Sequence, residues 1–198
     1  NASPDYFGAD TGDASKDDPL NKDNIGEKEI LVVSFGTSYN DSRAEDIGGI
    51  EKAIQNAYPD WSVRRAFTSQ IILNHILARD NEKIDNVSQA LDRAVANGVK
   101  TLVIQPTHLM HGAEYDELVA ATKDYAGKMD IKIAEPLLGE TGDGDAAVNA
   151  DKEAVSKAIV NAAVSAAGYA SLDAAKADGA AIVLLGHGTS HKAKVTYS

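Results

Sequence analysis

Short apolar runs, each followed by a stretch with helical spacing, recur along this chain and restrict its fold class. "EILVVSF" at 29–35 is rich in Val, Ile and Leu, as expected of a strand buried on both faces. "SVRRAF" at 62–67 reads as a second strand, more polar and so nearer a sheet edge. "VKTLVIQP" (99–106) and "IKIAEPLL" (131–138) read as the third and fourth. Between them, Asp41 or Ser42 can cap a helix reaching about Tyr58, where Pro59 follows as a stop. Ser69 opens "SQIILNHILAR", whose Ile72, Ile76 and Leu77 fit one helical stripe around His75, a packing residue. Asn86 caps "VSQALDRAVAN" and Gly98 closes it. "EYDELVAATKDYAGK" (114–128) is amphipathic through Leu118, Val119, Thr122 and Tyr125. Strands alternating with helices predict an α/β fold, a parallel sheet flanked by helices.

Residues 1–28 differ from the rest, being rich in Asp, Asn, Gly and Ser, and read as a flexible acidic leader. Such a tether suits an extracytoplasmic or membrane-tethered protein, a disordered cytoplasmic terminus being the alternative. Asp10, Asp13, Asp17 and Asp18 invite a calcium reading, but their spacing fails the EF-hand pattern. The net charge of −11 argues against a nucleic-acid partner. With no cysteine, disulfides, thiolate metal sites and cysteine nucleophiles are excluded. No apolar run approaches the roughly 20 residues a membrane span requires.

The first α/β domain is expected over 29–138, and a Gly- and Asp-rich hinge with a helix from Val148 to Gly168 fills 139–179. "AAIVLLGHGTSH" then reads as a fifth buried strand with its turn, the start of a second α/β domain at 180–198. It echoes the first strand: Phe35-Gly36-Thr37-Ser38 falls on His187-Gly188-Thr189-Ser190. A single parallel strand has no sheet of its own. It pairs with the first domain, is completed by another chain, or belongs to a protein that continues past Ser198; the last is the expectation taken here.

Ligands of doubly wound proteins bind at the carboxyl ends of strands, and three turns here are equipped for that. "SFGTSYNDS" offers backbone N–H groups, hydroxyls and a helix N-terminus, an anion cradle without the P-loop or GxGxxG pattern. "QPTHLMHGAEY" places His108, His111 and Glu114 after the third strand. "GHGTSH" sets His187 between two glycines, where an imidazole can accept a proton or bind a borderline divalent metal. The other reading is a tight turn with a structurally hydrogen-bonded histidine. His187 and His191 stand four apart, but Gly188 makes a regular helical two-His site doubtful. Serine-hydrolase chemistry lacks its GxSxG elbow.

Together "ILVVSFGTSY" (30–39), "RAFTS" (65–69), "QPTHLMHGAEYDELV" (105–119) and "LLGHGTSHKA" (184–193) resemble the anaerobic cobalt chelatases, the sirohydrochlorin cobaltochelatases of cobalamin synthesis. The resemblance runs from about Lys28 to the end. It implies two similar α/β domains, a tetrapyrrole substrate, and Co²⁺ as the metal inserted, with Fe²⁺ or Ni²⁺ as alternatives. It implies that His187 is catalytic base and metal ligand, and that Phe35, Gly36, Thr37, Ser38, Thr107, His108, Met110 and Glu114 bind substrate. In the family a further Glu and His from the second domain complete the metal site, and this sequence ends before them, so these residues by themselves are expected to be inactive. His111 is an additional potential ligand for metal or haem. A homo-oligomer is compatible with the resemblance, and a metal or tetrapyrrole carrier without catalysis is the competing function.

Overall fold

A computed structural model of the chain describes residues 11–142 and 148–197. Asp10 and residues 143–147 of the expected hinge lie outside the described residues. Four parallel strands, β1 (Lys28–Ser34), β2 (Ser62–Phe67), β3 (Thr101–Pro106) and β4 (Asp130–Ile133), form one sheet in the order β2-β1-β3-β4. The polar second strand is at an edge, as its sequence predicts. β4 stops at Ile133, short of the expected Leu138.

Helices α1 (Asn40–Ser42) and α2 (Gly48–Ala57) are joined by a π-helical turn at Arg43–Ile47. The helical run therefore starts at Asn40, after Tyr39, rather than behind a cap at Asp41 or Ser42. Helix α3 (Gln70–Asp80) is capped by Ser69, and α4 (Val87–Ala96) by a reciprocal Asn86–Gln89 capping box. The buried stripe of α3 is Leu73 and Ile76, while Leu77 is exposed. Helix α5 (Ala113–Thr122) continues into a 3₁₀ turn at Lys123–Tyr125. Helices α6 (Ala150–Ala166) and α7 (Leu172–Ala177) follow the sheet. Among the described residues, no helix is long and apolar enough to cross a membrane.

Alternation along β1 divides the core. Leu31 and Val33 pack with Leu102 and Ile104 of β3, Ala90 and Leu91 of α4 and Leu118 of α5. Ile30 and Val32 join Val63 on the other face, under Ile54, Trp61 and Leu20. Leu20 belongs to the segment expected to be a solvated leader. Instead, residues 11–27 are docked. Arg65 of edge strand β2 donates its backbone N–H to Leu20 O at 3.1 Å, Ser62 Oγ donates to Ile25 O, and Lys100 N–H donates to Glu27 O at 2.8 Å. The segment thus covers an open sheet edge.

Charge holds it there. Arg65, 1% exposed, donates to both Asp17 oxygens at 2.6 and 2.8 Å and to both Glu51 oxygens at 2.7 and 2.8 Å. Arg43 adds a 2.8 Å contact from Nε to Asp17 Oδ2. Burial pushes the Asp17 carboxyl up, but Arg65 and Arg43 outweigh it and hold the group below the ordinary aspartate range. The sequence shows Asp17 as one acid among many; only the sheet edge reveals two arginines that cannot be buried unpaired.

The described residues divide into two compact units, 11–108 with 114–134, and 109–113 with 135–142 and 148–197. The second has no strand among the described residues. The fifth strand expected at 180–186 is accordingly not formed: Val183, Leu184 and Leu185 are 86%, 68% and 97% exposed. A strand forms by pairing, and its unit offers it no partner.

Two outcomes follow from the docked segment. Asp17→Ala leaves buried Arg65 with Glu51 alone and Arg43 with Asn40 and its longer contacts to Asp80 and Glu82, and should lower unfolding free energy by about 1–3 kcal/mol, read by urea denaturation, while Asp18→Ala should change it by less than about 0.5 kcal/mol; equal effects would contradict the clamp. Burial, then the neighbouring Asp17, pushes Glu82 up to about 7 from 4.5. The folded state therefore binds this proton more tightly, and its contribution is complete below pH 4.5 and lost as pH rises through about 7. Glu82→Gln should flatten that decline in urea midpoints across the same window.

Candidate functional site

Because β1 lies between β2 and β3, the chain leaves β1 to one side and returns on the other. The carboxyl ends of β1 and β3 are the sheet's topological switch point, the place where such sheets bind ligands. Phe35, Gly36, Thr37 and Ser38 follow β1, and Thr107 and His108 follow β3. Thr107 joins the two strand ends: its N–H donates to Val33 O at 2.9 Å and its hydroxyl to Ser34 Oγ at 2.7 Å.

The first turn needs its glycine. Gly36 has φ +102, and a Cβ there would lie 2.6 Å from Cδ2 of the buried Phe67 ring. Thr37 Oγ1 accepts from Tyr39 N–H at 3.2 Å. Arg43 Nη1 donates to Thr37 O at 3.4 Å, and Arg79 Nη2 to Ser38 O at 2.6 Å. These arginines hold the turn's carbonyls, and beside them Phe35 and Tyr39 are 49% and 62% exposed. Sequence reasoning missed both, since neither falls in a motif and their role depends on packing across α1 and α3.

His108 is inset beside Glu114 of α5, with Nε2 at 3.2 Å from Glu114 Oε2 and a side chain 8% exposed. Neither ring nitrogen makes a hydrogen bond among the described residues, so the approach to Glu114 is a charge contact only. Burial lowers the imidazole pKa and disfavours the charged ring, with the Glu114 charge opposing it.

The remaining candidates belong to the second unit. Met110 O accepts from Gly112 N–H at 2.9 Å, and His111 stands 3.9 Å from Glu135 and 3.8 Å from Glu140. Sequence reading did not connect those two acids with His111, because they lie on another loop at no regular spacing. His187 is exposed, with Nδ1 3.0 Å from Gly188 O. In the tautomer whose Nδ1–H donates to that carbonyl, Nε2 carries the lone pair, and Nε2 has no hydrogen-bond partner among the described residues. This meets the requirement for a base or metal ligand, and it also shows the local hydrogen bond that a purely structural histidine would make.

The repeat seen in the sequence has a structural counterpart. Gly36 and Gly188 both take positive φ, +102 and +78. Thr37 and Thr189 both accept from the backbone N–H two residues on, at 3.2 and 3.1 Å. The second turn closes as the first does even though its strand is unpaired.

Gly36→Ala should cost about 1–3 kcal/mol in a urea titration, since Phe67 must move and the backbone is strained; an unchanged midpoint would contradict the reading. In an NMR titration of the imidazole protons, His108 should titrate below an ordinary histidine, and Glu114→Gln should move its midpoint lower still. An upward move would mean that Glu114 does not face the ring.

A protein-family model described as cobalt chelatase (CbiK) matches residues 28–198. The sirohydrochlorin cobaltochelatase of Salmonella typhimurium is 40% identical over 93 residues, covering 47% of this chain and 35% of that protein. The sirohydrochlorin cobaltochelatase CbiKC of Nitratidesulfovibrio vulgaris is 29% identical over 174 residues, covering 86% of this chain and 55% of that protein. The matches thus span about a third and about half of these relatives' lengths. A solved cobalamin-biosynthesis CbiX protein from Marinobacter aquaeolei superposes with TM-score 0.42 at 16% identity, over 70% of this chain and 98% of that one, a likeness too loose to decide anything.

Proposed function

The chain belongs to the cobalt chelatase (CbiK) family, and from that premise we propose that it serves the insertion of Co²⁺ into sirohydrochlorin, with His187 as proton acceptor and metal ligand. Insertion replaces pyrrole N–H protons by the metal, so a base must stand where the metal arrives. The observation that carries this reading is the exposed His187 imidazole, its Nδ1 against Gly188 O and its Nε2 without a partner among the described residues.

On the first unit, Phe35, Gly36, Thr37, Ser38, Thr107, His108 and Glu114 are the proposed tetrapyrrole contacts. Exposed Phe35 offers an apolar face to a flat macrocycle, while backbone N–H groups of the turn suit substrate carboxylates despite the acidic surface. Burial of His108 disfavours a positive charge on the ring that would repel the metal. Met110, in the second unit's loop, is a further proposed contact. Co²⁺ is the substrate metal, and Fe²⁺ and Ni²⁺ serve as comparison metals in the assay.

The test is a spectroscopic sirohydrochlorin–Co²⁺ insertion assay, with any residues the natural protein carries beyond Ser198 retained. His187→Ala should keep tetrapyrrole binding and lose insertion by about 100-fold or more, the usual weight of a general base. A variant that inserts at the wild-type rate removes His187 from the mechanism. Wild-type protein that binds tetrapyrrole and never turns over would identify a carrier.

A further inference from the structure

His111, Glu135 and Glu140 of the second unit converge in a way that the insertion reading leaves unused. One ligand atom from each lies within 4.8 Å of the others, His111 Nδ1 being 3.9 Å from Glu135 Oε2 and 3.8 Å from Glu140 Oε2. Around a tetrahedral ion with bonds of about 2.0–2.2 Å, neighbouring ligand atoms stand roughly 3.3–3.6 Å apart. Small side-chain rotations close that difference. One imidazole nitrogen with two carboxylate oxygens suits borderline first-row dications better than Ca²⁺ or Mg²⁺, which prefer oxygen throughout.

The backbone under these side chains is set independently of them. Leu138 N–H donates to Leu109 O at 3.0 Å, tying the loop that bears the two acids to the loop that bears His111. Gly139 N–H donates to Pro136 O at 2.9 Å, and Gly139 itself has φ +65, with the Asp151 carboxylate crowding the place of a Cβ. Asn149 Nδ2 donates to Leu138 O at 3.2 Å and Glu140 O at 3.0 Å. Lys152 Nζ donates to Thr141 O at 3.0 Å. These contacts fix the chain on both sides of Glu140.

The electrostatics lean the same way. An imidazole nitrogen and two carboxylate oxygens facing one point form a donor set whose charge a dication would balance. The ligand side chains are 29%, 45% and 73% exposed, so an ion can enter from solvent and keep water on its open positions.

We propose that His111, Glu135 and Glu140 form a second metal site, binding a first-row transition-metal dication through three protein ligands and water, and sharing no residue with the insertion chemistry of His187. The site takes the metal as a bound ion, without tetrapyrrole.

Calorimetric titration of Co²⁺ into the His187→Ala chain, with no tetrapyrrole present, tests this. A saturable site should remain. Adding His111→Ala and Glu140→Gln should weaken it at least about tenfold, because even partners behind the ligands are worth 10–100-fold in affinity. Glu153→Gln, an exposed acid on α6, should leave it unchanged, and far-ultraviolet circular dichroism should match across the variants. Paramagnetically shifted imidazole protons in the Co²⁺ form should vanish with His111→Ala. Loss of all saturable binding in His187→Ala, or a change under tenfold on removing His111 and Glu140, overturns the proposal. The readout is metal alone, so its failure leaves the insertion role of His187 standing, and failure of the insertion assay leaves this site standing.

Discussion

The structure depends on β1 being paired along both edges and buried on both faces. A parallel strand so placed has no solvated side, so every neighbour must cover it with apolar groups or satisfied charge. β2 and β3 supply the ladders, α4 and α5 cover one face, and Ile54 with Leu20 covers the other. The same central position brings the ends of β1 and β3 together, where Thr107 links them by two hydrogen bonds. The candidate turn at Phe35–Ser38 is therefore a consequence of strand order before it is a feature of its own residues.

The second consequence is electrostatic. Exposing β2 at an edge leaves Arg64 and Arg65 to be buried, and each is met by acids: Arg64 by Glu29 at 2.7 Å, Arg65 by Glu51 and Asp17. In a chain of net charge −11, acids are plentiful and guanidinium groups are scarce. The few arginines do specific structural work: Arg65 and Arg43 hold the segment around Asp17, and Arg43 and Arg79 reach the carbonyls of the first turn. Removing a partner from such a set leaves a buried charge, which costs far more than the pair itself contributes.

Much of this was legible in the sequence, and the rest fails for identifiable reasons. Period and apolar content located β1, β2 and β3 and the caps at Ser69 and Asn86, because those signals are local. The docked segment was not legible, since composition reports Asp17 as solvated until Arg65 and Arg43 are placed beside it. The segment at Val183–Leu185 was legible as apolar, and its want of a sheet was legible too; its exposure was not, since a strand is buried by its partners rather than by its own residues. The Gly-Thr turns at 36–37 and 188–189 were legible as a repeat, and their matching φ and hydrogen bonds give that repeat physical content. Glu135 and Glu140 were not, because only the Leu138–Leu109 hydrogen bond brings their loop to His111.

The proposed role of His187 requires that protein bearing this chain turn sirohydrochlorin over with Co²⁺. The decisive measurement is the number of cobalt–sirohydrochlorin molecules formed per protein molecule, against the protein-free rate, with substrate in large excess. Many turnovers per protein are expected, at a rate that saturates with tetrapyrrole. Product that stops at one equivalent, or a rate equal to that of the protein-free mixture, would contradict that role.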